Sequence, residues 1–107
     1  MLYTGDNIYF YTIVRKDNIS KIKECGIWPE VTKTFNGNWD YEKIFLYRNA
    51  ESAKMLLSSE SDSNKHCVVK IDTTKICQFT GFHIFCFSQN DTQLWTYCYI
   101  PSVAISE

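Results

Sequence analysis

The chain has 107 residues, of which 45% are hydrophobic and 16% aromatic, and its eleven Lys and Arg residues nearly balance its twelve Asp and Glu residues. This length and composition predict a single domain over 1–107 with one buried core. The near-neutral charge excludes a broadly basic surface, so a nucleic-acid partner is not indicated. No stretch resembles a signal peptide or a membrane span, so we expect a cytoplasmic protein without a membrane partner.

Cysteine and histidine usage argues against a metal site. The five cysteines form no C-x-x-C pair, and their number is odd. Buried, reduced thiols are therefore the expected state. The two histidines, His66 and His83, show no ligand spacing to a cysteine, and we predict that no metal is bound.

The first elements are a strand and a short helix. Aromatic and β-branched residues predict a strand over 8–14. Asp17 is a candidate N-cap for the helix that follows, Gly26 is its predicted end, and Pro29 prevents continuation. Three apolar residues recur at helical spacing between these limits: Ile19, Ile22 and Cys25.

The segment 31–41 has no sustained periodicity and contains an Asn-Gly turn dipeptide. It predicts a long loop, and long loops in small domains are commonly lids or binding loops. Such a loop could offer Phe35, Trp39 and Tyr41 for stacking on a ligand. The same three rings could equally fold back onto the core.

A second strand and helix follow. The residues 43–47 predict a strand, and Asn49 is the expected cap of a helix that runs to Leu57. A narrow apolar stripe along this helix consists of Ala53, Leu56 and Leu57. The polar segment 58–65 predicts a solvated connection.

Three more strands are predicted over 67–72, 82–87 and 94–100. Helices in the first half and a β-meander in the second half indicate an α+β fold. The last strand is apolar on both faces, which suits a strand covered on both sides. Asp91 and Gln93 project to the same side where it begins, and they are the first candidates for chemistry.

Short strings in the same order resemble the ADP-ribosyltransferase-like superfamily, including its RNA 2′-phosphotransferase and small-toxin branches. The segments 11–14 and 18–29 are similar to the opening strand and helix, which closes with an "I-x-x-x-G-I-x-P" pattern. The strand and helix of 43–57 contain an "E-x-A" string, and 66–74 resembles a "V-x-x-I-D-T" strand. The segment 93–101 is similar to a final strand of the type "V-W-L-T-x-x-V-P".

The resemblance implies a split β-sheet with NAD in a cleft between its halves. The family's catalytic carboxylate position falls on Gln93, with Asp91 at the outer position of the "E-x-E" pattern. Tyr11 and Thr12 stand where the family has the His or Arg that binds the cofactor, and Arg15 is the nearest cation. Tyr47 corresponds to a residue that lines the nicotinamide pocket. An amide at 93 can hydrogen-bond a ribose hydroxyl, but it carries no charge and cannot act as a base.

Three functions remain open from the sequence. The first is an ADP-ribosyltransferase-like toxin, effector or phage-encoded modifier that binds NAD or a related nucleotide and transfers ADP-ribose to a macromolecular target. The second is a catalytically inactive protein of this fold that binds another protein as an inhibitor or immunity-type module. The third is a small ribonuclease that uses His66 or His83 with a Tyr or Lys, which the neutral charge makes less favourable.

Overall fold

Ten short strands and three helices form the part of the chain that the structure describes. This computed structural model describes residues 2–3, 9–29, 31–33, 39–41, 43–59, 63–81, 85–89 and 94–107. The strands are β1 (Leu2–Tyr3), β2 (Tyr9–Arg15), β3 (Val31–Lys33), β4 (Trp39–Tyr41), β5 (Ile44–Leu46), β6 (His66–Asp72), β7 (Phe85–Cys86), β8 (Ser88–Gln89), β9 (Leu94–Thr96) and β10 (Ile105–Ser106). The helices are α1 (Ile19–Cys25), α2 (Ala50–Ser59) and α3 (Thr73–Thr80). Single 3-10 turns occupy Lys16–Asn18, Ser63–Lys65 and Ser102–Ala104.

The first of two three-stranded antiparallel sheets has the order β10–β6–β2. Its centre is the pairing of β2 with β6 over seven residues, in a register that runs from Tyr9 opposite Asp72 to Arg15 opposite His66. Side chains alternate between the two faces, so Phe10 is buried and Tyr9 is exposed. Both predicted strands are confirmed to within about one residue, because a seven-residue apolar alternation is a strong pattern.

The second three-stranded sheet has the order β5–β9–β8. Ile44 lies opposite Thr96 and Leu46 opposite Leu94. The two sheets meet where the peptide groups of Tyr11 and Tyr47 exchange both hydrogen bonds, each 2.8 Å from N to O. Two antiparallel sheets with three helices confirm the α+β class.

One buried cluster takes residues from both sheets, from α3 and from the turn at Ser102–Ala104. Its members are Phe10, Ile44, Leu46, Ile71, Ile76, Phe87, Leu94, Ile100 and Ala104. The radius of gyration is 14.0 Å, close to the ~13 Å expected of a compact chain of this length. The two sheets therefore share one core.

Helices α1 and α2 confirm the two helices expected in the first half. Gly26 ends α1 at φ +80°, and the side chain of Asn49 caps α2 by accepting from the Ser52 N–H at 2.8 Å. Two details were wrong. Asp17 lies in the 3-10 turn before α1, where its carboxylate pairs with Arg15 and does not cap the helix. Of the predicted stripe on α2, only Ala53 is buried.

The prediction of a β-meander in the second half was wrong. Helix α3 follows β6 directly, and β6 pairs with β2 and β10 rather than with β7, the strand that comes next in the chain. The signals for α3 were present in the sequence. The Asp72 carboxylate accepts from the Thr74 N–H at 3.0 Å, and Gly81 ends the helix in the left-handed conformation. Residues 82–84 of the predicted strand 82–87 lie outside the described residues.

The predicted loop at 31–41 also requires correction. Strands β3 and β4 pair antiparallel, with Val31 opposite Tyr41 and Lys33 opposite Trp39. The described ends of the segment are therefore paired strands, in which cross-strand hydrogen bonds override the weak periodicity. Phe35 lies outside the described residues.

The last predicted strand, 94–100, is shorter than expected and open on one face. Strand β9 ends at Thr96, and only Ile100 returns to a bridge, with Ile27. Leu94 and Thr96 are buried, but Tyr97 is 44% exposed. The interpretation that the strand is covered on both sides was therefore wrong. Among the described residues, no helix has the length and apolarity that a membrane crossing requires.

Candidate functional site

A cleft opens where β2 and β5 separate beyond the Tyr11–Tyr47 hydrogen bonds. The hydroxyl of Thr12 donates to the Phe45 carbonyl at 2.8 Å, which joins the strands at the inner end of the cleft. Peptide groups alternate along a strand, so the N–H and C=O of Ile13 and Phe45 lie on the same side as those of Tyr11 and Tyr47. Backbone donors and acceptors of both strands therefore face the cleft.

The cleft has a volume of about 270 Å³ and an apolar lining. Its aliphatic side chains are Ile13, Val14, Ile27 and Ile44. Its aromatic side chains are Trp28, Phe45 and Tyr47. Thr12, Pro29 and Lys43 complete the lining, so no carboxylate is present among the described lining residues. We call this site the β2–β5 cleft.

The segment after α1 forms one wall of the β2–β5 cleft. Ile27 and Ile100 exchange backbone hydrogen bonds of 2.8 and 2.9 Å, which fixes this wall to the segment after β9. The Tyr99 hydroxyl donates to the Cys25 carbonyl at 2.7 Å. The ring of Trp28 stacks on Tyr99 with centroids 4.0 Å apart and an interplanar angle of 27°. Because Trp28 is held in this way while 62% exposed, it presents an ordered ring to solvent.

Strand β5 forms the facing wall. Ile44 and Leu46 are buried in the core, so Lys43 and Phe45 lie on the open face of the second sheet. Phe45 is 46% exposed and lies directly opposite Trp95. The Lys43 ammonium is 4.2 Å from the centroid of the Trp95 ring, a cation–π contact.

Three of the predicted cofactor-binding residues come together at the β2–β5 cleft. Thr12 and Tyr47 line it, and the backbone of Tyr11 forms its inner end. Arg15 does not line it, because its guanidinium lies 3.2 Å from the Asp17 carboxylate on the exposed surface. The predicted catalytic residues, Asp91 and Gln93, lie outside the described residues.

Sequence reasoning did not assign Trp28, Lys43 and Phe45 to the site. Strand alternation over 43–47 was the available signal, since it places Lys43 and Phe45 on the same face as Tyr47. No comparable pattern marks Trp28, which is placed by the end of α1 and the stack on Tyr99.

The described residues give no geometric support to the ribonuclease alternative or to a cysteine nucleophile. His66 pairs in register with Arg15 and does not line the cleft, and His83 lies outside the described residues. Burial, assisted by the nearby Glu107 carboxylate, raises the pKa of the Cys67 thiol, which disfavours the thiolate that nucleophilic catalysis requires. The four cysteines with described side chains are reduced thiols, but Cys25 is exposed and the other three are only partly buried, contrary to expectation.

No described group of three or more His, Cys, Asp or Glu side chains is arranged to hold a metal ion. A second cavity, of about 230 Å³, lies beside Tyr9 and the start of α3 and includes Lys70, Asp72 and Lys75. The Lys70 ammonium makes a cation–π contact with Tyr9, 4.0 Å from the ring centroid, and the Asp72 carboxylate caps α3. Both charged groups therefore already have partners within the protein. The β2–β5 cleft therefore remains the better candidate for ligand binding.

Neither a protein-family model nor a curated protein matches this chain.

Proposed function

We propose that this protein is a divergent ADP-ribosyltransferase-like protein that binds NAD or a related nucleotide in the β2–β5 cleft. In this proposal it acts as a toxin, effector or phage-encoded modifier and transfers ADP-ribose to a macromolecular target. Two observations support the proposal: the order of the family-like strings in the sequence, and the position of the β2–β5 cleft in the fold.

The supporting observation is that a cleft of about 270 Å³ lies at the junction of the two sheets and contains Thr12 and Tyr47. The family resemblance of the sequence independently predicts both residues as cofactor contacts. The Thr12 hydroxyl is occupied by the Phe45 carbonyl, so its contribution is to hold the cleft in shape. Tyr47 supplies a ring for contact with the ligand.

The lining suits a planar ring. Trp28, Phe45 and Tyr47 offer aromatic surface, and the backbone groups of Ile13 can hydrogen-bond an amide at the ring's edge. A volume of about 270 Å³ is below the roughly 300–1,000 Å³ of sites for drug-sized ligands. The cleft therefore accommodates one ring and its sugar, and the remainder of a dinucleotide would extend over the open side.

The proposed reaction breaks the C–N bond between nicotinamide and ribose. Nicotinamide leaves with the bonding electron pair, and a nucleophile of the target attacks the same carbon and loses its proton. Positive charge develops on the ribose in the transition state, where a carboxylate contributes a few kcal/mol of stabilisation, on the order of 3. Asp91 is the residue proposed for that role, with Gln93 as a hydrogen-bond partner of the ribose.

The test is nicotinamide release from NAD by the pure protein, alone and with cell lysate as a source of targets. We expect release, and we expect the double change Asp91→Ala with Gln93→Ala to abolish it. Tyr47→Ala should weaken NAD binding by about 1–3 kcal/mol, the range for loss of one stacked ring. Tyr97→Ala is the matched control, because Tyr97 is exposed on the same sheet region but does not line the cleft.

A second candidate is a catalytically inactive protein of this fold that binds another protein as an inhibitor or immunity-type module. The observation in its favour is a surface of three clustered aromatic residues. Trp28 stacks on Tyr99, and Phe79 meets Tyr99 edge-on at 6.5 Å, while Trp28 and Phe79 are both more than half exposed. Absence of both NAD binding and nicotinamide release would favour this candidate over the first.

A further inference from the structure

Lys43 is the one residue with a formal charge among the described residues that line the β2–β5 cleft. It immediately precedes β5, so its position is set by the sheet rather than by a long loop. No described carboxylate lies within ion-pair distance of its ammonium group. Within the described part of the chain, a positive charge without a carboxylate partner therefore lies at the edge of a cleft whose other side chains are uncharged.

The position of the Lys43 ammonium is restricted by Trp95. The 4.2 Å contact places the charge over the face of the indole, where the ring quadrupole attracts it. An ammonium group has three N–H donors, so the groups that point away from the ring can still donate to a ligand. A cation held in this way loses less side-chain entropy when it binds an anion than a freely rotating lysine does.

Arg15 is the last residue of β2, the strand on the other side of the cleft from Lys43. Continuation of the antiparallel register from Tyr11 and Tyr47 would place Arg15 across from Lys43. The Arg15 guanidinium, however, is paired with Asp17 at 3.2 Å and is absent from the cleft lining. Its charge therefore has a carboxylate partner, whereas Lys43 has none among the described side chains.

A ligand of the β2–β5 cleft must complement both the aromatic side chains of the lining and the positive charge of Lys43. Phe45 lies on the same face as Lys43 and lines the same cleft, so a ring in the cleft and an anion at its mouth would belong to one ligand. A nucleotide has this arrangement, with a planar base joined through a sugar to phosphate. A cationic or purely apolar ligand would leave the Lys43 charge without a partner.

We infer that Lys43, positioned by Trp95, binds a phosphate of the nucleotide and that Arg15 does not. The inference rests on the proposed function, because it names the residue of the same cleft that recognises the ligand's charge. The geometry thus favours Lys43 over Arg15, the cation nearest to Tyr11 and Thr12 in the sequence.

The test measures the affinity of wild-type protein, Lys43→Gln, Lys43→Arg and Arg15→Gln by calorimetry with two probes. The probes are NAD and nicotinamide riboside, which lacks phosphate. Lys43→Gln should weaken NAD binding roughly five- to tenfold, as expected for a charge-assisted hydrogen bond at an exposed site. It should not weaken binding of nicotinamide riboside. Lys43→Arg should retain most of the NAD affinity, and Arg15→Gln should match the wild type.

Trp95→Leu tests the positioning role. It should reduce the NAD affinity by less than Lys43→Gln does, and it should add little to the effect of Lys43→Gln in the double variant. The effect of Lys43→Gln should shrink as salt rises, because screening weakens exposed charge interactions. Thermal midpoints of all variants establish that each one is folded.

The possible outcomes test the role of Lys43 and the proposed function separately. NAD binding by the wild type with unchanged affinity in Lys43→Gln would overturn the role of Lys43 and leave the proposed function standing. A larger loss for Arg15→Gln than for Lys43→Gln would return the phosphate contact to Arg15. No binding of either probe by the wild type would overturn the proposed function itself.

Discussion

Gly26 lies between the end of α1 and the wall of the β2–β5 cleft. Its φ of +80° is in the left-handed region, and a Cβ added there would lie 2.3 Å from the Ile100 carbonyl oxygen. Both constraints require glycine. The close approach in turn permits the hydrogen bonds between Ile27 and Ile100 that fix the position of Trp28. A glycine recognised from the sequence only as a helix stop therefore also determines the shape of the site.

We predict that Gly26→Ala destabilises the protein by about 2–4 kcal/mol, the sum of a left-handed backbone penalty and a steric clash with backbone. Gly81→Ala is the matched control. Gly81 has a similar φ of +75° but has open space around it, so its substitution should cost only about 1–2 kcal/mol. Urea unfolding of the two variants measures the difference. Equal losses would mean that the close contact at Ile100 contributes nothing to stability.

At the scale of single elements, α3 depends on its N-cap. The Asp72 carboxylate accepts from the Thr74 N–H at 3.0 Å, and such caps typically contribute about 1 kcal/mol. We predict that Asp72→Ala lowers the free energy of unfolding by about that amount and that Asp72→Asn is nearly neutral, since asparagine caps equally well. Chemical denaturation of both variants provides the measurement. A loss in Asp72→Asn as large as in Asp72→Ala would show that the charge matters rather than the cap.

Strands and helices with a strong local pattern were predictable from the sequence. The seven-residue alternation of β2 and β6 and the Gly26 and Asn49 boundaries were confirmed. Helix α3 was missed because it is short and follows β6 without a loop, so its first residues were interpreted as a continuation of the strand motif. The pairing of β3 with β4 was missed because it depends on cross-strand contacts, which leave no hydrophobic periodicity in the local sequence.

At the scale of the whole molecule, the pairing of strands determines which residues meet. The sequence predicts Tyr11, Thr12 and Tyr47 as cofactor contacts, and the junction between the sheets brings these three residues together. Phe45 and Lys43 belong to this site because β5 buries its alternate side chains against the core. Trp28 joins it through the bridge between Ile27 and Ile100. Alternation within 43–47 places Lys43 and Phe45 on the face of Tyr47, but the meeting of β5 with β2 and with Trp28 depends on tertiary pairing that no single segment records.

The same junction links the site to the stability of the fold. Phe10 and Ile71 of the first sheet and Leu46 and Leu94 of the second sheet share one core cluster. Hydrogen bonds join β2 to β5 and the residue after it at the Tyr11–Tyr47 pair and between the Thr12 hydroxyl and the Phe45 carbonyl. A ligand that binds both strands would add hydrogen bonds at the place where the two sheets separate, and it should stabilise the folded protein by mass action.

The most direct test of the central claim is hydrogen–deuterium exchange with and without saturating NAD, resolved to single amides. We predict slower exchange at Ile13 and Phe45, whose peptide groups face the β2–β5 cleft, and little change in α2 (Ala50–Ser59), which does not line it. Protection confined to another surface, or no change at β2 and β5 under saturating NAD, would contradict the assignment of the nucleotide site to this cleft.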